Sequence, residues 1–432
     1  MPAKDTIAVG HNTRAAARIA TTWGTAVNVD VAEHANEMTW EGLRFSSESI
    51  TISAPVLENP SITATASVAG MQRIGSGVEK RGEGSITFAG PYYQGMERLF
   101  AIFMGEHEGA TDGTSGNPTQ ADSATNAYYG FYRLRNDMEG IFGTMAIHKD
   151  INVGSQTDST DATMWEMETF KVDTFTLNWA GGNSPVTFEF GIICSDINVA
   201  AEPTINLNDS TDPLAPGYES DLILIRPNEF KLFLNTQGTT IDVDTDAALE
   251  VLSFSLTMSR GYDRNISSGN QHLIDEPMPS AFTTVTGNFS MNKYNTATAG
   301  TVFPEFDQFF DSGGTVVNKT HKVLAGVFES KSVIEAGYPY VFGFLLPSVM
   351  FESMDANVAG PGRIAFNVGF RGFELSQDAT TQKVDNVGGT GSAIVANSGT
   401  GVASRQPILF YQSKNTKDPL IVAGSASRAT GV

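Results

Sequence analysis

Six histidines, one cysteine and a run of aspartates are the side chains of this sequence best suited to chemistry. The histidines are His11, His34, His107, His148, His272 and His321, and none has a second His or a Cys at the spacing of a metal site. "DVDTD" (Asp242–Asp246) sets three carboxylates on one face of an extended segment, as the head of a Ca²⁺ loop does. The glycine that should follow is absent and Glu250 misses the bidentate position, so a solvated strand edge is the better reading. Cys194 stands in an apolar alternating run with no nearby His, which fits packing rather than nucleophilic attack. The glycines of "GTGSAIVANSGTG" (Gly389–Gly401) lack a strand-to-helix setting and a Lys-Ser/Thr pair, so they read as flexible chain and not as a phosphate cradle. Gly-x-Ser-x-Gly and His-Glu-x-x-His are both missing. These patterns lead us to expect no catalytic residue, no metal and no cofactor.

The elements that carry such side chains point the same way. With 432 residues, 41% hydrophobic and 17% charged, the chain is globular and long enough for two or three domains. Abundant Gly, Ser, Thr, Val and Phe, without long Ala/Leu/Glu/Lys runs, favour β structure with many turns. A net charge of −21 argues against a groove that grips phosphates with Lys and Arg. A nucleic acid can still slide past such a surface. A single cysteine excludes a disulfide framework, and "MPAKDTIAVGHNTRAAARIATTWG" has no apolar core of signal-peptide length. Synthesis and folding in a reducing cytoplasm are therefore expected, with no membrane partner.

Residues 1–45 read as an N-terminal arm. "ESITISAPV" (Glu48–Val56) and "SITFAG" (Ser85–Gly90) alternate as strands, with the charged loop "MQRIGSGVEKRGEG" leading into the second. A short amphipathic helix, "MERLFAIFMG", follows, and Met96, Leu99, Phe100 and Phe103 form its buried stripe. Phe170–Trp179 and Pro185–Cys194 flank "AGGNS", a turn suited to a hairpin. Pro- and Asp-rich residues 201–221 mark a linker between a first unit, 46–200, and a second, 222–375. The remainder, 376–432, has two apolar islands, "PILFYQ" and "PLIVAG", in Gly/Ser-rich chain, and reads as an arm or surface-laid extension.

The second unit repeats the order of the first. "SFSLTM" follows "SITISA" by about 205 residues, and "GNFSM" (from Gly287) follows "GSITF" (from Gly84) by about 203. "FPEFDQFFDSG" supplies a second helix, with Phe306 and Phe309 as its packing residues. The closing hairpins correspond at about 178. On the residues alone, an assembly subunit, a secreted lectin-like or fibre module, and an enzyme with a carboxylate pair in a cleft all stay open.

"TTWGTA" (Thr21–Ala26), "ESITI", "MQRIGSG", "GEGSITFAG" and "MERLFAIFMG", in that order, resemble the tail tube proteins of long-tailed bacteriophages. The second unit matches in element order and through "GNFSM" and "FDQFF"; the large size, weak second lead-in ("TQGTTID") and long tail depart from the pattern. The resemblance implies a mainly β fold of two tandem β-sandwich or barrel-like tube domains, each flanked by a short helix. It implies a virion tail protein, not an enzyme, whose chains close into trimeric, pseudo-hexameric rings that stack around a DNA channel. Its partners would then be copies of itself, a tape measure protein, tail tip and terminator proteins, and double-stranded DNA in transit. Glu83 and Asp173 are the lumen candidates, and Arg73, Lys80 and Arg81 the loop residues expected to reach an acidic neighbour. A terminator, a distal tail protein or a secreted β-rich adhesin are the alternatives.

Overall fold

The computed structural model describes residues 13–27, 43–53, 56–58, 74–76, 81–90, 92, 96–109, 116–149, 164–200, 223–265, 274–292, 321–355, 361, 364–375, 382–388, 393–396 and 407–429. In the first half these form β1 (Arg14–Ile19), β2 (Ser47–Glu48), β3 (Thr51–Ser53), β4 (Val56–Glu58), β5 (Ile74–Ser76), β6 (Arg81–Phe88), α1 (Met96–Met104), β7 (Gly105–Glu108), β8 (Thr119–Gln120), β9 (Tyr128–Leu134), β10 (Gly143–His148), β11 (Met164–Trp179), β12 (Thr187–Cys194) and β13 (Ile197–Ala200). The second half supplies β14 (Phe230–Thr236), β15 (Ile241–Asp242), β16 (Val251–Ser259), β17 (Thr284–Asn292), β18 (Lys322–Glu335), β19 (Tyr338–Asp355) and β20 (Ala365–Phe373). Beyond it lie β21 (Gln382–Asp385), β22 (Ile394–Ala396) and β23 (Ile408–Ser413). The fold is mainly β and antiparallel, as expected, with α1 against one face of the sheet.

Each half contributes four neighbouring strand positions. In the first, β2 and β3 pair with β6, β6 with β12, and β12 with β11. In the second, β16 pairs with β17, β17 with β20, and β20 with β19. The register matches residue for residue. Gly84 faces Ile192 as Gly287 faces Phe370. The ladder is broken between Val172 and Thr174 opposite Gly191, and again between Phe351 and Ser353 opposite Gly369. Such bulges bend a strand and end or redirect its pairing. The halves then join edge to edge, since Thr174–Trp179 of β11 pair with Phe254–Ser259 of β16.

The helix forms because "MERLFAIFM" lacks Gly, Pro and β-branched crowding, apart from Ile102, and opens with Glu97 near its positive end. Gly105, at φ +85, ends it in the left-handed region. Leu99, Phe100 and Phe103 are buried, as are Glu97 and Arg98, so the helix is enclosed all round and not only along a stripe. Phe100 meets Phe190 at 5.0 Å and Phe175 at 5.2 Å edge-on, and stacks on Phe342 of the second half at 5.3 Å. The helix expected around Phe306 and Phe309 lies outside the described residues.

Three expectations change. Residues 1–45 are not all arm, because Arg14–Ile19 form β1 against β10 and Ala15–Ala20 are buried. The "MQRIGSGVEKRGEG" segment is not all loop, because Ile74–Ser76 within it form β5, paired with the preceding β4, and β6 already begins at Arg81, opposite Ser53. The tail is not an arm over 407–429. Ile408–Ser413 are all buried, and β23 lies between β9 of the first half and β19 of the second. "ILFY" is apolar at every position, the pattern of a strand covered on both faces.

Candidate assembly surface

Alternation sorts the sheet into two faces. On β6, Ile86 and Phe88 go into the core beside α1, while Glu83, Ser85 and Thr87 stay half-exposed. On β16, Phe254, Leu256 and Met258 are buried and Ser253, Ser255, Thr257 and Ser259 are not. On β17 the open positions are Thr284, Thr286, Asn288 and Ser290. The outward face of the wall is thus chiefly hydroxyl and amide. Its hydroxyls bridge strands, with Ser49 and Ser85 at 3.1 Å, Thr176 and Thr257 at 3.3 Å, and Ser253 and Ser290 at 2.6 Å.

Among the described residues the charges on this face are few. Glu83 and Asp173, taken separately from the sequence, line one open concavity of about 410 Å³ together with Thr51, Thr174 and Arg264. Arg264 is ion-paired with Glu83, and Asp173 Oδ1 accepts the Tyr262 N–H at 3.2 Å. Asp173 occupies the bulge of β11, and the bulge of β19 holds Glu352, 3.7 Å from Arg371. Sequence reading missed Glu352 as the repeat mate of Asp173; the correspondence of the two closing hairpins was the signal that leads to it. Glu189 and Asp355 add carboxylates on exposed positions. The face is therefore a hydroxyl surface with a modest excess of negative charge, less acidic than the net charge alone suggests. Arg81 stands at the start of β6, and Arg73 and Lys80 lie outside the described residues.

The remaining polar clusters are buried and hold elements together. Arg260, just after β16, donates Nε to Phe103 O and Nη1 to Arg135 O, both at 2.6 Å, and Nη2 to Met104 O. A second-half cation thereby satisfies the last carbonyls of a first-half helix. Lys171 Nζ reaches Glu276 at 2.7 Å and the carbonyls of Met138 and Pro277, while burial pulls its pKa down. His107 is enclosed, with Nδ1 at 2.5 Å from Gly116 O and Nε2 at 3.2 Å from the Tyr411 hydroxyl on β23. Burial pushes its pKa down to about 3, and the Arg428 cation adds to that. The neutral ring donates from Nδ1 and accepts at Nε2. Asp418, 3.7 Å from His107, is raised by burial to about 6 against the pull of Arg428 at 2.8 Å.

Asp242 and Asp246 spend their carboxylates on local backbone N–H groups, and Asn386 binds Asp242. Among the described residues no group of three His, Cys, Asp or Glu is placed to hold a metal, and no helix is long and apolar enough to cross a membrane.

A family model for phage tail tube proteins matches residues 10–372. This chain belongs to the phage tail tube protein family. It is a structural component of a virion tail, of a kind that self-assembles into a tube. A search of curated proteins finds no match. The family match takes in both four-strand segments of this tail tube protein and ends before β23, so the strand that clasps its halves together lies beyond the matched region.

Proposed function

We propose that three copies close head to tail into a ring of six like wall segments, that rings stack into a tube, and that double-stranded DNA passes along the hydroxyl face. The observation that carries this reading is the β11–β16 seam. It already joins one four-strand segment to the next, edge to edge, inside a single chain. Repeating that join between chains turns an open sheet into a closed wall and removes its edges. The hydroxyl face, with Glu83 and Glu352 each beside an arginine and a modest carboxylate excess, offers DNA neither a cationic grip nor an apolar surface. The charged segment between β3 and β6 would reach a neighbouring subunit or ring, and tape measure, tip and terminator proteins would bound the tube's length.

Electron microscopy of the purified chain at high concentration, with rotational averaging of end-on views, tests this. Hollow tubes with three-fold symmetry and six similar wall segments are expected. Single rings that never stack would make the chain a terminator or distal tail component, and persistent monomers would end the ring reading.

A further inference from the structure

The seam also specifies which residues meet when two chains join. At the seam Thr174 faces Ser259, Phe175 faces Met258 and Thr176 faces Thr257. The two bulges and their partner strands place Ser353, Met354 and Asp355 of β19 where β11 has Thr174, Phe175 and Thr176. Through β6 and β17, Ser53, Ile52 and Thr51 stand where β16 has Ser259, Met258 and Thr257. We propose that β19 of one copy pairs antiparallel with β3 of the next, Ser353 opposite Ser53, Met354 opposite Ile52 and Asp355 opposite Thr51. This rests on the ring reading and adds to it a register and an orientation.

Three observations favour a second copy of this chain as the occupant. Among the described residues, β2 and β3 pair only with β6, and Met350–Asp355 pair only with β20, so none of these strands has a second described partner. The seam residues Phe175 and Met258 are fully buried, whereas their counterparts Met354 and Ile52 are only partly buried, packed at the margin of the core. Pairing them would bury both. The alternation also forbids neighbouring registers, because a slip of one residue would turn Met354 and Ile52 to opposite faces. On the open face, the Thr176–Thr257 hydroxyl contact is replaced by the Asp355 carboxylate facing the Thr51 hydroxyl, an acceptor against a donor.

Cysteine cross-linking of the full chain tests the register. Within one chain Ile52 and Met354 lie at opposite ends of eight neighbouring strand positions, about 34 Å apart along the sheet at roughly 4.8 Å per strand, far beyond the reach of a disulfide. A link between them is therefore intermolecular. Assembled protein carrying Ile52→Cys and Met354→Cys should shift mostly to linked dimers and trimers on non-reducing gels after mild oxidation. Ser53→Cys with Ser353→Cys, both exposed positions, should do the same and guards against misfolding of the first variant. Ser53→Cys with Met354→Cys, one residue out of register, should stay monomeric, as should each single variant, which measures any contribution from Cys194. Rings by electron microscopy with no link in either matched pair, or with the shifted pair linking as well as the matched ones, would overturn the register and leave the ring reading intact. Absence of both rings and links would overturn both.

Discussion

The seam at β11–β16 and the edges at β3 and Met350–Asp355 of β19 hold equivalent places in the repeat, the first covered by a second strand and the others without one among the described residues. At the seam the facing side chains are sealed, with Phe175, Leu177, Leu256 and Met258 fully buried. At the outer edges Ser353 and Asp355 are exposed, and Met354 between them, like Ile52 on β3, is only partly covered. What differs is not the strand chemistry but whether a neighbouring strand is present. On the proposed ring reading, hydroxyls and carboxylates along such an edge would keep its backbone groups hydrated until the neighbouring copy pairs with them.

Breaking the covered copy should cost far more than breaking the open one. Phe175→Ala removes a ring that touches Phe100, Phe188 and Phe190, and should destabilise the single chain by about 3–5 kcal/mol. Met354→Ala at the equivalent open position should cost the unassembled chain about 1 kcal/mol or less, and should instead raise the concentration needed for assembly. Urea unfolding of both variants, beside light scattering of assembly, separates these outcomes. Equal losses in the unassembled chain would erase the distinction between seam and edge.

Arg260 sharpens the comparison from behind the sheet. Arg260→Met takes the guanidinium donors from the carbonyls of Phe103 and Arg135 and leaves Met104 O with only the Arg135 N–H, and should cost about 3 kcal/mol. Because the residue binds first-half carbonyls from the second half, loss should appear in denaturation followed by tryptophan fluorescence, to which Trp179 at the seam contributes, as well as in overall circular dichroism.

The clasp made by β23 has its own pH signature. His107 stays neutral in the folded chain down to about pH 3, while its unfolded counterpart takes a proton near 6.5, so its contribution is lost as pH falls through that interval. Asp418 acts oppositely. Its folded pKa of about 6, against 3.8 unfolded, stabilises the fold as pH falls from about 6 to 4. The two offset each other until about pH 4, and below it His107 acts alone, at up to about 1.4 kcal/mol per pH unit. His107→Asn, which keeps a donor toward Gly116, should flatten the decline between pH 4 and 3 in denaturation midpoints. An unchanged decline would place its origin elsewhere.

The smallest effect is expected on the open face. Glu83 is 42% exposed in its pair with Arg264, so Glu83→Gln should change stability by less than about 1 kcal/mol. A larger loss in unfolding experiments would make the concavity a structural joint and not a lining.

How much of this was legible in advance depends on the range of the interaction. The alternation of "SITF", the 96–104 helix and the Gly181–Gly182 turn declare themselves over a few residues, because period, propensity and positive φ are local properties. The duplication was legible as well, since Gly84 and Gly287 hold equivalent places. The burial of Ile408–Ser413 was not. An apolar island in Gly-rich chain looks alike whether it joins a neighbour or its own sheet, and only the slot between β9 and β19 distinguishes them. Arg260 and Lys171 were overlooked for a related reason, because a buried cation is recognised by distant carbonyls that no spacing rule identifies.

By itself the sequence determined the strand-rich class, the repeated unit, the helix that follows "SITFAG" and a negative charge unsuited to gripping nucleic acid. Each of these is set by residues near one another or by a sum over all of them. Tertiary structure alone decided that the two units share one seam, that the tail closes over both, and that β3 and Met350–Asp355 of β19 each lack a second partner strand among the described residues. Strand pairing is a contact between segments far apart in the chain, and its partner is chosen by packing and backbone hydrogen bonding across the whole fold.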